Sequence, residues 1–217
     1  MDSVVMNPQI KKDLTHDINT FIADDLWYFD RGIPYKMGIL LSGKPGTGKT
    51  SLIRALATMT KFNLHYLNLS SEKLDDNTLM GLMVSMNGDN CILVLEDFDT
   101  VFDGRKNISN SKVTFSGVLN CLDGIFTKRG MITIITTNNY DTLDSALTRK
   151  GRMDKHIIME YPEIHQIKTY VKLFYDVNSN IELDGMSKLS MSEIQEICIV
   201  NKNNPAKADK QLIKELS

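Results

Sequence analysis

Long apolar runs are absent from this sequence. The longest, residues 79–84 with Gly81 inside it, falls far short of the ~20 residues a helix needs to cross a bilayer. A membrane-spanning helix within these 217 residues is therefore excluded. No charged-then-apolar leader and no basic amphipathic presequence opens the chain, so no targeting segment is expected. Cysteine is scarce: Cys91, Cys121 and Cys198 are odd in number, far apart and set in apolar stretches. That usage fits reduced core residues rather than a disulfide framework. It predicts an intracellular, cytoplasmic protein, with membrane attachment only through parts beyond this sequence. His16, His65, His156 and His165 lack metal-ligand spacing, so no metal site made of protein ligands alone is expected. Charge of one sign is not in excess either: 25 Lys and Arg face 27 Asp and Glu. A protein that grips nucleic acid by charge shows a basic excess, so nucleic acid is not the expected partner.

What is present is globular. Apolar residues make up 42% and charged residues 24%, and a chain of this length buries enough surface to fold without staples. Short apolar runs alternate with helical patterns, the signature of a parallel sheet covered by helices. Strands are expected at 39–42, from Leu64 through Leu67 or Leu69, at Cys91–Leu95, at 131–136 and at 155–159. Between them, residues 51–59 place Leu52, Ile53, Leu56 and Ala57 on one face. Asp76 is expected to cap a helix with Leu79, Leu82, Met83 and Met86 on one face. Phe115, Val118, Leu119 and Leu122 repeat the helical spacing. Trp27, Tyr28 and Phe29 are read as core packing ahead of the glycine loop, with a contact patch as the alternative. After Pro162 only helices follow: a stripe of Ile164, Ile167, Val171 and Phe174, a capping box at Ser190 and Glu193, and a start at Asn204-Pro205. The expected organisation is an α/β domain over 1–160 and a small helical lid over 161–217.

Residues Gly43, Lys44, Pro45, Gly46, Thr47, Gly48, Lys49 and Thr50 fit the pattern G-x-x-x-x-G-K-[ST], directly after a strand and opening a helix. The glycines let backbone N–H groups turn inward around phosphate oxygens, and the helix N-terminus adds its positive dipole end. Ser51 continues the loop into the helix. Lys49 is placed to reach the β- and γ-phosphates, and the Thr50 hydroxyl to hold Mg²⁺. The strand at Cys91–Leu95 ends in Glu96-Asp97, where ligands bind in open α/β sheets. One carboxylate can hold the metal shell while the next polarises the attacking water. These residues call for ATP and Mg²⁺ as cofactors.

Lys49, Glu96-Asp97, Thr137-Asn138 and the phrase running from Leu143 through Arg149, Gly151, Arg152 and Asp154 resemble the AAA ATPases. More narrowly, Trp27-Tyr28 with Arg31-Gly32-Ile33-Pro34-Tyr35, Leu95-Glu96-Asp97, and Thr114-Phe115-Ser116-Gly117 with Leu119-Asn120, Leu122, Asp123 and Gly124 look like one subgroup. It is the mitochondrial chaperone family that moves the folded Rieske iron–sulfur protein during respiratory complex III assembly. The resemblance implies a P-loop NTPase sheet followed by a helical lid, and ATP hydrolysis in a homo-oligomeric ring, hexamer or heptamer, acting on a protein client. It implies Glu96 on the metal side with Asp97 as catalytic base, and Asn138 as the sensor of the γ-phosphate. It further implies Arg149 and Arg152 as arginine fingers reaching a neighbour's nucleotide, and Val5 and Met6 as the segment packing on adenine. Lys44 and Lys150 stand where proline is common in the family, and Asp97 is one methylene shorter than the usual glutamate. Residues 68–74 carry no aromatic and 103–111 read as polar and flexible, so threading of an unfolded client is not expected. A nucleic-acid motor and an ATP-gated scaffold with little turnover are the rival readings on this fold.

Overall fold

A computed structural model describes residue 1 and residues 4–86, 90–123 and 129–216. Gly124 of the subgroup phrase lies outside these. In chain order the elements are α1 (Pro8–Ala23), α2 (Asp25–Asp30), β1 (Lys36–Ser42), α3 (Lys49–Thr60), β2 (Asn63–Tyr66) and α4 (Asp76–Ser85). Then come β3 (Cys91–Leu95), α5 (Phe98–Val101), β4 (Phe102–Asp103), β5 (Lys106–Asn107) and α6 (Phe115–Asp123). The chain closes with β6 (Met131–Thr137), β7 (Lys155–Ile158), α7 (Ile164–Tyr175), α8 (Met191–Val200) and α9 (Pro205–Leu216).

Among the described residues five strands form one sheet in the order β2-β3-β6-β1-β7, and each pairing is parallel. This is the α/β P-loop NTPase fold. Strand residues alternate between its two faces. Leu40, Leu93, Leu95 and Ile135 pack with Leu79, Met83, Phe98, Phe115 and Leu122 on one side. Ile39, Leu41, Ile92, Val94, Ile132 and Ile134 pack with Ile18, Phe21, Leu52 and Leu56 on the other. The continuous apolar strands follow from this double burial. A third cluster, built on Ile164, Ile167, Val171, Ile194, Cys198 and Leu212, belongs to α7, α8 and α9.

Several expectations need correction. Asp75, not Asp76, caps α4, accepting from the Thr78 N–H at 2.8 Å. Asp76 instead accepts from the Thr114 N–H and hydroxyl, both at 2.7 Å, tying α4 to the start of α6. Leu82 points outward at 41% exposure, so the α4 stripe is narrower than its spacing predicts. Trp27 and Phe29 are 45% and 68% exposed and are not core; of the aromatic trio, only Tyr28 packs inward, against Phe21 and Tyr35. Arg31 lies over the Trp27 ring and Arg129 over Phe29. Residues 103–111 carry a defined hydrogen-bond network: β4 pairs with β5, and the Asn107 amide donates to Ser111 and, at 2.6 Å, to the Val113 carbonyl.

Candidate active site

The order β3-β6-β1 makes neighbours of three strands whose C-terminal ends carry the chemistry. β1 runs into the glycine loop, β3 into Glu96-Asp97 and β6 into Asn138. Register keeps these ends level: Ser42 pairs with Thr137, and the Gly43 N–H donates to the Thr137 carbonyl at 3.2 Å. Beside them, the Asp97 N–H donates to the Thr136 hydroxyl at 2.9 Å. Around this edge opens a cleft of about 430 Å³, within the usual range for small-molecule sites. Pro45 through Ser51 line it, with Glu96, Asp97 and Asn138 opposite.

Lys49 lies at the centre. Its ammonium donates to the Gly43 carbonyl at 2.6 Å, the Lys44 carbonyl at 3.1 Å and the Asn138 side-chain oxygen at 2.8 Å. Burial lowers its pKa, against the opposing pull of Asp97, Asp99 and Glu96. A buried cation amid carbonyl oxygens, beside an open cleft, is suited to trade those partners for phosphate oxygens. Asn138 also donates to Asp97 Oδ1 at 3.3 Å, so one amide touches both the lysine and the acid. Asp97 itself adopts a left-handed backbone, φ 49°, a conformation a short polar side chain tolerates. Thr50 donates to Glu96 Oε1 at 2.9 Å. These two hard oxygens, with phosphate and water, suit the donor set Mg²⁺ takes.

Tyr66, at the end of β2, donates its phenol to Glu96 Oε2. Burial and this bond push its pKa well above the ordinary phenol value. Sequence reasoning missed it: only the strand order brings β2 alongside β3.

The C-terminal helices reach the loop directly. The Ser192 N–H and hydroxyl both donate to the Gly46 carbonyl, at 3.1 and 3.4 Å. Gly46 sits at φ +77°, and a Cβ there would stand 2.2 Å from the Ser192 hydroxyl. Tyr170, Met191 and Gln195 complete the lid side of the cleft, while Val4, Val5 and Met159 provide an apolar end. Of the expected adenine pair, Val5 lines the cleft. Met6 lines an adjacent recess of about 80 Å³ with Tyr161 and Pro162.

The two arginines lie elsewhere. The segment before β7 is held at Gly38, whose N–H donates to Asp154 at 2.9 Å and whose carbonyl accepts from the Asp154 N–H at 2.8 Å. Gly38 and Gly43 are five residues apart along β1, roughly 17 Å at strand rise. Arg149 is exposed. Arg152 is not equivalent: it forks onto both oxygens of Asp123 and donates to the Ala146 carbonyl.

With this geometry in place, comparison decides the family. Residues 39–161 match AAA, the ATPase family associated with various cellular activities. The chain belongs to the AAA ATPases. Among the relatives of this AAA chain, the probable mitochondrial chaperone bcs1 of Schizosaccharomyces pombe is 35% identical, across 96% of this chain and 48% of that protein. The probable mitochondrial chaperone BCS1-A of Dictyostelium discoideum is 36% identical, across 96% and 53%. Human mitochondrial chaperone BCS1 is 34% identical, across 96% and 53%. The chain spans about half the length of these curated relatives. The resemblance to the mitochondrial chaperones is thereby borne out. The cytoplasmic expectation is overturned, because the relatives are named for the mitochondrion; reduced cysteines do not distinguish the two compartments.

Proposed function

We propose that this AAA chain hydrolyses MgATP within a homo-oligomeric ring and uses the cycle to remodel or move a protein client. The observation that carries the reading is the convergence of Lys49, Glu96, Asp97 and Asn138 at three adjacent strand ends on one cleft. Bound ATP would be held by the loop from Gly43 to Thr50, with Lys49 leaving its carbonyl partners for the β- and γ-phosphates. Thr50 and Glu96 would hold Mg²⁺, which supplies charge neutralisation at the phosphates. Asp97 would take the proton of the attacking water, with Asn138 orienting that water near the γ-phosphate. The names of the mitochondrial chaperone relatives support a protein client.

Placement supports the ring. The turn that carries Arg149 is anchored through Asp154 at Gly38, and Gly38 precedes the glycine loop by roughly 17 Å of strand. Phosphoryl transfer spreads negative charge over the γ-phosphate oxygens, and an arginine finger from outside typically adds about 10³–10⁵ in rate. A guanidinium on this segment would serve a neighbour's cleft. The test is complementation: chains carrying Lys49→Ala and chains carrying Arg149→Ala should each release almost no phosphate. Co-assembled, with mixed rings verified by tag capture, they should regain hydrolysis. Verified mixed rings without recovered hydrolysis refute action across the interface.

A further inference from the structure

The finger segment carries two arginines, and the structure gives them different surroundings. Arg152 is largely sheltered, with 16% of its side chain exposed. Its guanidinium is fully engaged: Nε donates to Asp123 Oδ1 at 2.7 Å, one terminal nitrogen donates to Asp123 Oδ2 and the other to the Ala146 carbonyl. Arg149, three residues away, is exposed; among the described residues its guanidinium makes no ion pair, and only its charge acts, on the Asp144 carboxylate.

Asp123 has a physical reason to keep this partner. It is the last described residue of α6, and its side chain is 41% exposed. Arg152 compensates its charge, and Lys36 donates to the adjacent Leu122 carbonyl at 2.5 Å. The hydrogen bonds from Arg152 hold the Asp123 carboxyl below the usual range. The backbone of the segment is clamped from the other side. The Asp154 carboxylate accepts from the N–H groups of Gly38 and Gly151, at 2.9 and 3.0 Å. A Cβ on Gly38 would stand 1.6 Å from the Arg152 carbonyl oxygen, so β1 and the segment meet backbone to backbone. Arg152 is thus fastened to its own α6, while Arg149 projects from the fastened turn.

We propose that the pair divides its labour: Arg149 alone crosses the subunit boundary to the neighbour's γ-phosphate. Arg152 and Asp123 are positioning residues that fix the turn from which Arg149 extends. This rests on the hydrolytic reading above. It assigns Asp123 a part in turnover, and it withdraws Arg152 from direct contact with phosphate.

A double-mutant cycle on phosphate release by the assembled whole chain tests it. Arg149→Ala should cost about 10³–10⁵ in kcat, the usual worth of a finger. Asp123→Ala and Arg152→Ala should each cost about 10²-fold, the usual penalty for a misplaced catalytic group. Each should leave the KM for ATP and the MgATP-induced thermal shift unchanged, which a general loss of structure would not. The decisive figure is the double variant, which should lie within about two-fold of the worse single, because both remove one contact. If Arg152 instead touches the neighbour's phosphate, its loss multiplies with that of Asp123 and the double variant falls by about 10⁴. That result overturns the division of labour while the parent's hydrolysis stands. A parent that assembles and releases no phosphate overturns the hydrolytic reading itself. Should either alanine variant fail to fold, Asp123→Asn, which keeps the side-chain size, and Arg152→Gln, which keeps a shorter polar side chain, weaken the charged fork and complete the same cycle.

Discussion

The Lys49 ammonium donates a hydrogen bond to the Asn138 side-chain oxygen at 2.8 Å. Asn138, through its other amide atom, donates to Asp97. The cation proposed to meet phosphate and the acid proposed to activate water are therefore joined by a single amide. Were Lys49 to turn to a phosphate, it would release the Asn138 oxygen, which shares its amide with Asp97.

Asp97→Asn separates binding from chemistry. Asparagine tolerates the left-handed backbone at this position, so the loop is kept while the negative charge is lost. The MgATP thermal shift should persist, and phosphate release should fall by about 10²–10⁴-fold, the worth of general-base assistance. Glu96→Gln should instead weaken the response to Mg²⁺. Normal turnover by Asp97→Asn, with loss in Glu96→Gln, would reverse the order of the acidic pair.

Tyr66→Phe deletes the phenol bond to Glu96 and nothing else in the cleft. An ordinary hydrogen bond contributes about 0.5–1.5 kcal/mol, so the Mg²⁺ concentration for half-maximal hydrolysis should rise by about two- to ten-fold. Turnover at saturating Mg²⁺ should be unchanged. A magnesium titration at fixed ATP reads both, and an unmoved midpoint would make Tyr66 a bystander.

Gly38→Ala drives a methyl group into the Arg152 carbonyl, a backbone atom with little freedom to yield. A loss of about 3 kcal/mol is expected from overpacking at this site, lowering Tm by about 6–12 °C in a chain of this length. Thermal unfolding without nucleotide measures it. A Tm within 2 °C or so of the parent would mean the segment is not clamped to β1.

How much of this was legible follows from the range of each contact. The glycine loop could be read because its chemistry is local, eight consecutive residues between a strand and a helix. The Ser190–Glu193 box and the Asn204-Pro205 start were local too, and both stand in the structure. The same logic was available at Asn7-Pro8, where Asn7 accepts from the N–H groups of Gln9 and Ile10 to open α1, yet that helix went unread. The contacts of Tyr66 with Glu96 and of Arg152 with Asp123 could not be read this way. They join residues 30 and 29 positions apart, brought together by strand order and by the packing of α6. Trp27 and Phe29 misled because aromatic residues are usually buried. Here cations cover their rings instead.

The seat of α8 on the Gly46 carbonyl makes the glycine loop a fulcrum. The three lid helices pack on one another through their own apolar cluster and so turn together. Their point of support is the loop proposed to meet phosphate. α9 has 12 residues, ~18 Å at helical rise, so a 10° tilt about one end would carry the other by ~3 Å. Any movement of the loop at Gly46 would reach α8 first, through the two hydrogen bonds of Ser192.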